Sequence, residues 1–588
     1  MKGKVYILSE AMVTSLGVGV EHNMAALRAG ESGVRPASDS RVTQSSVMAG
    51  IIPEKIYEGL YSRLDAGKSL TRTELLAVAC ICDALGNGMR AASRMGLVIA
   101  SAKGNAADLE GHCSGGPSLP HEDDRILMDR MGHRIGSRLG FRDEDIYIIS
   151  NACISGVSAL IAARRMILGG WYEKVMVVGV DTQSRFITSG FASFKSLSTE
   201  ICRPYDAFRC GLNLGEACGA VLLSGSPEGH GVVISIDGGA ATDDANHISG
   251  PSRTGDGLYF AMRRAMGEAG LSSVDIDMLQ MHGTATAYND EMESKAAGLA
   301  GLQNVPLQSL KPYFGHTMGA SGVIETIIAA EEMKEGLMLG TKGFSAIGVP
   351  VPVSVNALTR VLPMSHCLKT ASGFGGTNAA IVLSVNDSDT CTPASAGSRV
   401  PGDDAFRPSL VRKVEISAGH VKVDGAVVFS AQDSDFHAFI REAYKSRGES
   451  GMKFYKMDDF CKLGYMAAEW LLEGIVYGEE ECGIVLTGKY GCLDTDMRHQ
   501  QLIDAGGDSV ASPAVFVYTL PNVVAGEISI RHNIKGENVW LCSPARSMQI
   551  VRSYACLAAR SSGLKYCAVG SLDCLDGHYS AVMELLRL

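Results

Sequence analysis

Apolar positions along the chain follow two periods. Continuous apolar runs of strand length stand at 95–100, 146–149, 174–180, 217–223, 232–238 and 379–384. Between them apolar residues recur at helical spacing over 71–85, 126–139, 159–168, 257–269 and 319–335. Residues 1–35 read as a strand, a loop at Gly17-Val18-Gly19 and a helix over 22–28, whereas 36–70 show no clear period. A short strand over 278–281 ends at His282, and a helix is expected after Asp290. Strands alternating with helices predict an α/β layered fold.

One junction stands out. The apolar run 146–149 leads into Ser150-Asn151-Ala152-Cys153-Ile154-Ser155-Gly156, and the helix that follows stops at Gly169-Gly170. Cys153 is therefore expected on a strand-to-helix elbow, where unpaired N–H groups and the helix dipole lower a thiol pKa. A packed core cysteine fits the same position, because free cysteines are often buried. The elbow alone leaves both readings open.

Composition narrows the class. Of 588 residues, 46% are hydrophobic and 20% charged, which is ordinary for a globular protein of several domain-sized units. A net charge of −11 provides no basic surplus for nucleic acid. No apolar stretch approaches the ~20 residues of a membrane span, and Glu10 interrupts the N-terminal apolar run, favouring a first strand over a signal peptide. The sixteen cysteines include no C-x-x-C pair, and Cys202, Cys210 and Cys218 lack the histidines a zinc site would need. Reduced thiols in the cytoplasm are the expectation.

Two histidine segments lie downstream of the elbow: His282-Gly283-Thr284-Ala285-Thr286, and Lys311-Pro312-Tyr313-Phe314-Gly315-His316. Each histidine stands beside glycine, where backbone and substrate approach closely. A third element, Gly373-Phe374-Gly375-Gly376-Thr377-Asn378, is a glycine turn before a strand. Singly, each has a structural explanation. Together, in this order, and with Cys202-Arg203-Pro204-Tyr205-Asp206 and Gly211-Leu212-Asn213-Leu214-Gly215-Glu216, they resemble the β-ketoacyl-[acyl carrier protein] synthases, condensing enzymes of the thiolase superfamily. The resemblance covers about residues 1–385. Asn151 departs from it, since the family commonly has threonine there, and the region 103–145 is shortened and altered.

The resemblance implies a thiolase-like αβαβα fold and a set of roles. Cys153 would carry the acyl chain as a thioester, with the N–H groups of Cys153 and Phe374 as oxyanion hole. His282 and His316 would assist decarboxylation of a malonyl thioester, and Lys311 would balance charge and orient a histidine. Thr284 and Thr286 would bind the pantetheine arm, beside Phe374, Gly375 and Gly376. No metal or other cofactor is implied; substrates ride on the 4'-phosphopantetheine of acyl carrier protein. Arg164, Arg165, Lys195 and Arg209 are candidates for a carrier-docking patch, or simply solvated charges.

A second, partial copy follows. The strand and glycine at 482–488 echo 95–101, and 512–527 resembles the family's segment before the elbow. Counting from there puts Ala545 at the nucleophile's position; Asp573 follows it by 28 residues, as Asp181 follows Cys153. The expected organisation is a ketosynthase domain over 1–385, a linker over 386–412, and a nucleophile-less half-thiolase-like domain over 413–588. That last part is expected to dock on the first, in cis or as a swapped homodimer, and to lend Phe516 or Tyr518 to the acyl pocket. The expected activity is decarboxylative Claisen condensation in fatty-acid, polyene or polyketide synthesis. Alternatives are acyl transfer on the same scaffold, or a chain-length-factor-like scaffold partner.

Overall fold

The computed structural model describes residues 3–66, 69–86, 94–110, 124–228, 231–390, 408–545 and 548–588. Strand β1 (Val5–Thr14) precedes helix α1 (Arg72–Leu85), β2 (Met95–Ala100) and α2 (Met128–Leu139). Next come β3 (Ile146–Ile149), α3 (Ser155–Leu168), β4 (Lys174–Asp181), α4 (Arg185–Ser193) and β5 (Ala217–Ser224). Capping fixes where helices begin: Thr71 accepts from the Glu74 N–H while Glu74 accepts from the Thr71 N–H, a closed box that starts α1.

The chain continues through β6 (Val232–Asp243), α5 (Asp256–Ala269), β7 (Met278–Gln280), α6 (Ala287–Leu299), α7 (Ser321–Glu335), β8 (His366–Gly373) and β9 (Thr377–Asp387). These strands run β3-β2-β4-β5-β1-β6-β9-β8-β7, with parallel pairs at β2–β3, β2–β4 and β7–β8 and antiparallel pairs elsewhere. The sheet folds round α3 and α7, which share one core with residues of β1, β4, β6 and β9. A Cβ on Gly156 would lie 2.9 Å from the Gly322 Cα, so α3 and α7 meet backbone to backbone. Helix α1 covers the outer face of β2, β4 and β5, and α5 that of β9. The result is the five-layered αβαβα arrangement.

The C-terminal part repeats half of this. It contains β10 (Ser409–Ser417), α8 (Asp459–Leu471), β11 (Cys482–Thr487), α9 (Leu493–Gly506), α10 (Val523–His532), β12 (Asn538–Cys542), α11 (Met548–Ser562), β13 (Tyr566–Leu575) and β14 (His578–Arg587). Its order, β12-β11-β13-β14-β10, matches β3-β2-β4-β5-β1 strand for strand. Ala545 stands in the turn after β12, topologically where Cys153 stands after β3.

The two parts join edge to edge. β3 pairs antiparallel with β12 through Ile149 and Leu541, and Ile148 and Cys542. The ladder extends past the strand: the Asn151 amide donates to the Asn538 carbonyl (2.8 Å) and accepts from the Trp540 N–H (2.7 Å). The departure at Asn151 thus supplies a side chain that acts as one more peptide unit. Across this seam Arg165 is fully buried on Glu537 at 2.7 Å.

Several expectations need correction. Residues 36–70 are not irregular: they hold a strand, Val47–Gly50, and a helix, Glu54–Arg63, whose buried stripe is only Tyr57 and Leu60. Helix α6 starts before Asp290, which it buries. Arg164 and Arg165 form no docking patch, because Arg164 is buried against Glu268 at 2.9 Å and Arg165 against Glu537. Of the expected linker, residues 391–407 lie outside the described residues, and 386–387 still belong to β9. Among the described residues no single helix is long and apolar enough to cross a membrane.

Candidate active site

Three loops at the inner ends of the core helices bring the candidate residues together. Cys153 sits in the short turn between β3 and α3, after Ala152, whose φ of 48° is a left-handed conformation costing about 1–2 kcal/mol. That strained elbow turns the sulfur towards His316, whose Nε2 lies 3.0 Å from Sγ. The His282 ring meets the His316 ring edge-on, centroids 4.9 Å apart. One donor atom from each of the three residues falls within a 4.8 Å cluster.

The two histidine loops are pinned from behind by buried carboxylates. Glu293 accepts from the N–H groups of His282 (2.9 Å) and Gly283 (2.8 Å). Asp290 accepts from the Thr284 N–H (3.1 Å) and the Tyr205 N–H (2.7 Å). Asp181 accepts from Ser101 Oγ and from the N–H groups of Ala102, Lys103 and Gly319, fastening the His316 loop to the end of β2. The segment 211–216 holds His316 directly: the His316 N–H donates to the Asn213 carbonyl, and the Gly215 N–H to the His316 carbonyl. The sequence reading missed Asp290, Glu293 and Asp181 as supports, although i,i+3 carboxylates opening a helix right after a histidine motif are a legible signal.

Electrostatics corrects another expectation. Burial pushes the Cys153 thiol up to about 12, although the charge of Lys311 and the N–H groups of Phe374 and Cys153 facing the sulfur pull it down. The dipole of α3 therefore does not dominate, because the thiol is only 9% exposed. Burial and the charge of Lys311 hold both histidines well below the usual imidazole pKa, so both rings are neutral and each offers one N–H. His282 Nδ1 is buried with no hydrogen-bond partner among the described residues. Lys311 does not reach a histidine. Its ammonium pairs with Glu325, which also binds Lys369 at 2.6 Å. It thus serves charge balance and acts on the rings through space.

These residues open into a cavity of about 380 Å³ lined by Cys153, His282, His316, Thr284, Thr286 and Phe374. Thr284 and Thr286 face one another there, Oγ1 to Oγ1 at 2.9 Å. Gly375 and Gly376 take φ of 90° and 79° and turn the Phe374 loop back on itself. Phe374 packs against Phe191 and Phe194, ring centroids 6.0 and 5.5 Å away. One layer behind stands Phe516 of the C-terminal part, 5.5 Å from Phe191 and 6.3 Å from Phe186. Tyr518 points elsewhere, to Glu527 at 3.0 Å. Of the other candidate docking residues, Lys195 is exposed, whereas Arg209 is held by the carbonyls of Asp206 and Gly348.

A five-layered thiolase-like fold with a cysteine and two histidines at the inner helix ends defines a condensing-enzyme class, the ketosynthases. Family comparison agrees: "Beta-ketoacyl synthase, N-terminal domain" matches residues 2–228 and "Beta-ketoacyl synthase, C-terminal domain" matches 233–345. The chain belongs to the β-ketoacyl synthase family. It is 28% identical over 410 residues to 3-oxoacyl-[acyl-carrier-protein] synthase 2 of Vibrio cholerae, covering 65% of this chain and 99% of that protein. The enzyme of the same name from Vibrio harveyi is 27% identical over 409 residues, covering 65% and 98%. A solved structure titled PfaC keto synthase–chain length factor covers 100% of this chain and 78% of its own, with a TM-score of 0.75 and 13% identity, a likeness of fold.

Proposed function

We propose that the chain catalyses decarboxylative Claisen condensation on carrier-bound thioesters, extending a fatty-acid or polyketide chain. The observation that supports it best is the Cys153–His316–His282 cluster facing two backbone N–H groups in one cavity. Cys153 gives its proton towards His316 and attacks the acyl thioester carbonyl. The oxyanion is met by the N–H groups of Cys153 and Phe374, and the carrier thiol leaves with the proton. A malonyl thioester then enters past Thr284 and Thr286, which bind its pantetheine arm. Its carboxylate leaves as CO₂, and the enolate oxygen receives the N–H groups of His282 and His316. The enolate carbon attacks the acyl-Cys153 carbonyl, a C–C bond forms, and the C–S bond to Cys153 breaks to release the thiolate, which takes up one proton from solvent to restore the thiol.

In this reading the carrier's phosphopantetheine arm is the only group brought to the site, and acyl carrier protein is the partner. The domain division is 1–387, a linker over 388–408 and 409–588, because β9 runs to Asp387 and β10 starts at Ser409, and the last part does no chemistry because alanine stands at its elbow. It backs the pocket wall with Phe516 and braces the Phe374 loop. Free thiols throughout the described cysteines support a cytoplasmic setting. Incubation with acyl- and malonyl-carriers tests the whole: CO₂ release and a product heavier by one ketide unit are expected. Acyl exchange without CO₂ would replace condensation by acyl transfer.

A further inference from the structure

The same three side chains carry a second inference, one that does not depend on condensation. The geometry points to Cys153, His282 and His316 forming a three-ligand site for a soft divalent cation such as Zn²⁺, whose binding blocks the thiol.

A thiolate and two imidazoles favour zinc over the hard cations magnesium and calcium, and three protein ligands with an open fourth position is the pattern of open zinc sites. Zn–S and Zn–N bonds of about 2.3 and 2.0–2.1 Å set tetrahedral edges of about 3.6 Å for S···N and 3.3 Å for N···N. Here Sγ and His316 Nε2 are 3.0 Å apart, and no two of the three donor atoms are more than 4.8 Å apart. Side-chain adjustments under about 1.5 Å bring all three to bonding distance. The second sphere is present at His316, whose Nδ1 lies 3.3 Å from Ser321 Oγ, the kind of partner that orients a metal-bound imidazole.

Part of the local positive charge is offset, because the ammoniums of Lys311 and Lys369 share the carboxylate of Glu325. The cavity of about 380 Å³ leaves room for water as fourth ligand. In the binding step the S–H bond breaks, its proton goes to solvent, and a Zn–S bond forms with two Zn–N bonds. No electron is transferred, and a chelator reverses the step.

The test uses the full chain and metal alone. Titration with Co²⁺, a tetrahedral zinc surrogate, is expected to give roughly one tight equivalent with a sulfur-to-cobalt charge-transfer band. That equivalent is lost in Cys153→Ala, and His282→Ala and His316→Ala each bind at least ~10-fold more weakly. Because the chain has sixteen cysteines, peptide mass spectrometry after iodoacetamide labelling supplies a second readout on the wild type. Zn²⁺ should protect Cys153 selectively and a chelator should restore its labelling. Unchanged tight binding in Cys153→Ala, absence of any tight equivalent, or labelling of Cys153 unaffected by zinc would each overturn the site. None of these readouts measures condensation, so the two proposals fail separately.

Discussion

The Asn522 amide donates a 2.9 Å hydrogen bond to the Phe374 carbonyl, so the oxyanion-side loop is held by the C-terminal part. The approach is close: a Cβ on Gly526 would lie 2.5 Å from the Gly375 carbonyl oxygen. Asn522→Ala should slow acylation of Cys153 by ~10-fold, less than the 10²–10³ of losing an oxyanion donor outright. Alkylation of Cys153 by iodoacetamide should hardly change, since the thiol itself is untouched. Burst kinetics with an acyl-carrier, beside alkylation rates, check this; equal loss in both would reassign Asn522 to thiol placement.

Cys153→Ala should remove every acyl adduct while leaving the circular dichroism spectrum intact. His282→Ala and His316→Ala should slow malonyl decarboxylation more than acylation, because enolate charge develops only in that step. Single-turnover measurements of CO₂ and of acyl-enzyme separate the two effects.

Glu325 is the sole carboxylate shared by the buried ammoniums of Lys311 and Lys369 among the described contacts. Glu325→Ala leaves both cations uncompensated and should cost about 3–5 kcal/mol. Lys369→Met in the same background is expected to restore part of that loss. Denaturant midpoints decide.

Phe516 is 2% exposed, against Phe186, Phe191, Phe194 and His499. Phe516→Ala should destabilise the chain by about 3–5 kcal/mol through the cavity it leaves. That cavity lies behind the acyl pocket wall, so products should lengthen. Product mass spectrometry would show an unchanged length if Phe516 is only filler.

Acid should loosen the contact between the two parts at Lys535, which binds Asp256 of α5 at 2.8 Å. Burial raises the Asp256 pKa, but hydrogen bonds from Lys535, Thr254 and Ser252 outweigh it and hold the group at about 2, below its ordinary 3.8. A depressed carboxylate stabilises the fold above about pH 4, and that contribution fades as pH falls towards 2. Unfolding midpoints between pH 5 and 2 should drop more steeply in the wild type than in Lys535→Met.

The elbow, both histidines and the glycine turn were legible because each is a local pattern: strand, tight turn, helix. The half-repeat was legible for the same reason, since 482–488 and 95–101 carry one strand-and-glycine signature. What escaped was long-range. Arg164 and Arg165 read as surface cations because nothing local announces Glu268 or Glu537 as partners. The thiol's raised pKa also follows from depth, which a helix start does not encode. The helix Glu54–Arg63 was missed because two buried residues among charges make too short a stripe.

The antiparallel step from Ile149 to Leu541 lies within a single polypeptide. Its association is therefore first-order, with a tethered partner at effective concentrations of order mM. Dilution cannot separate the two sides of the seam, and no second gene dose has to match the first. Each chain also carries one cysteine elbow where a symmetric pair would carry two, leaving the side with Ala545 free to drift in sequence as long as its edge strand still pairs.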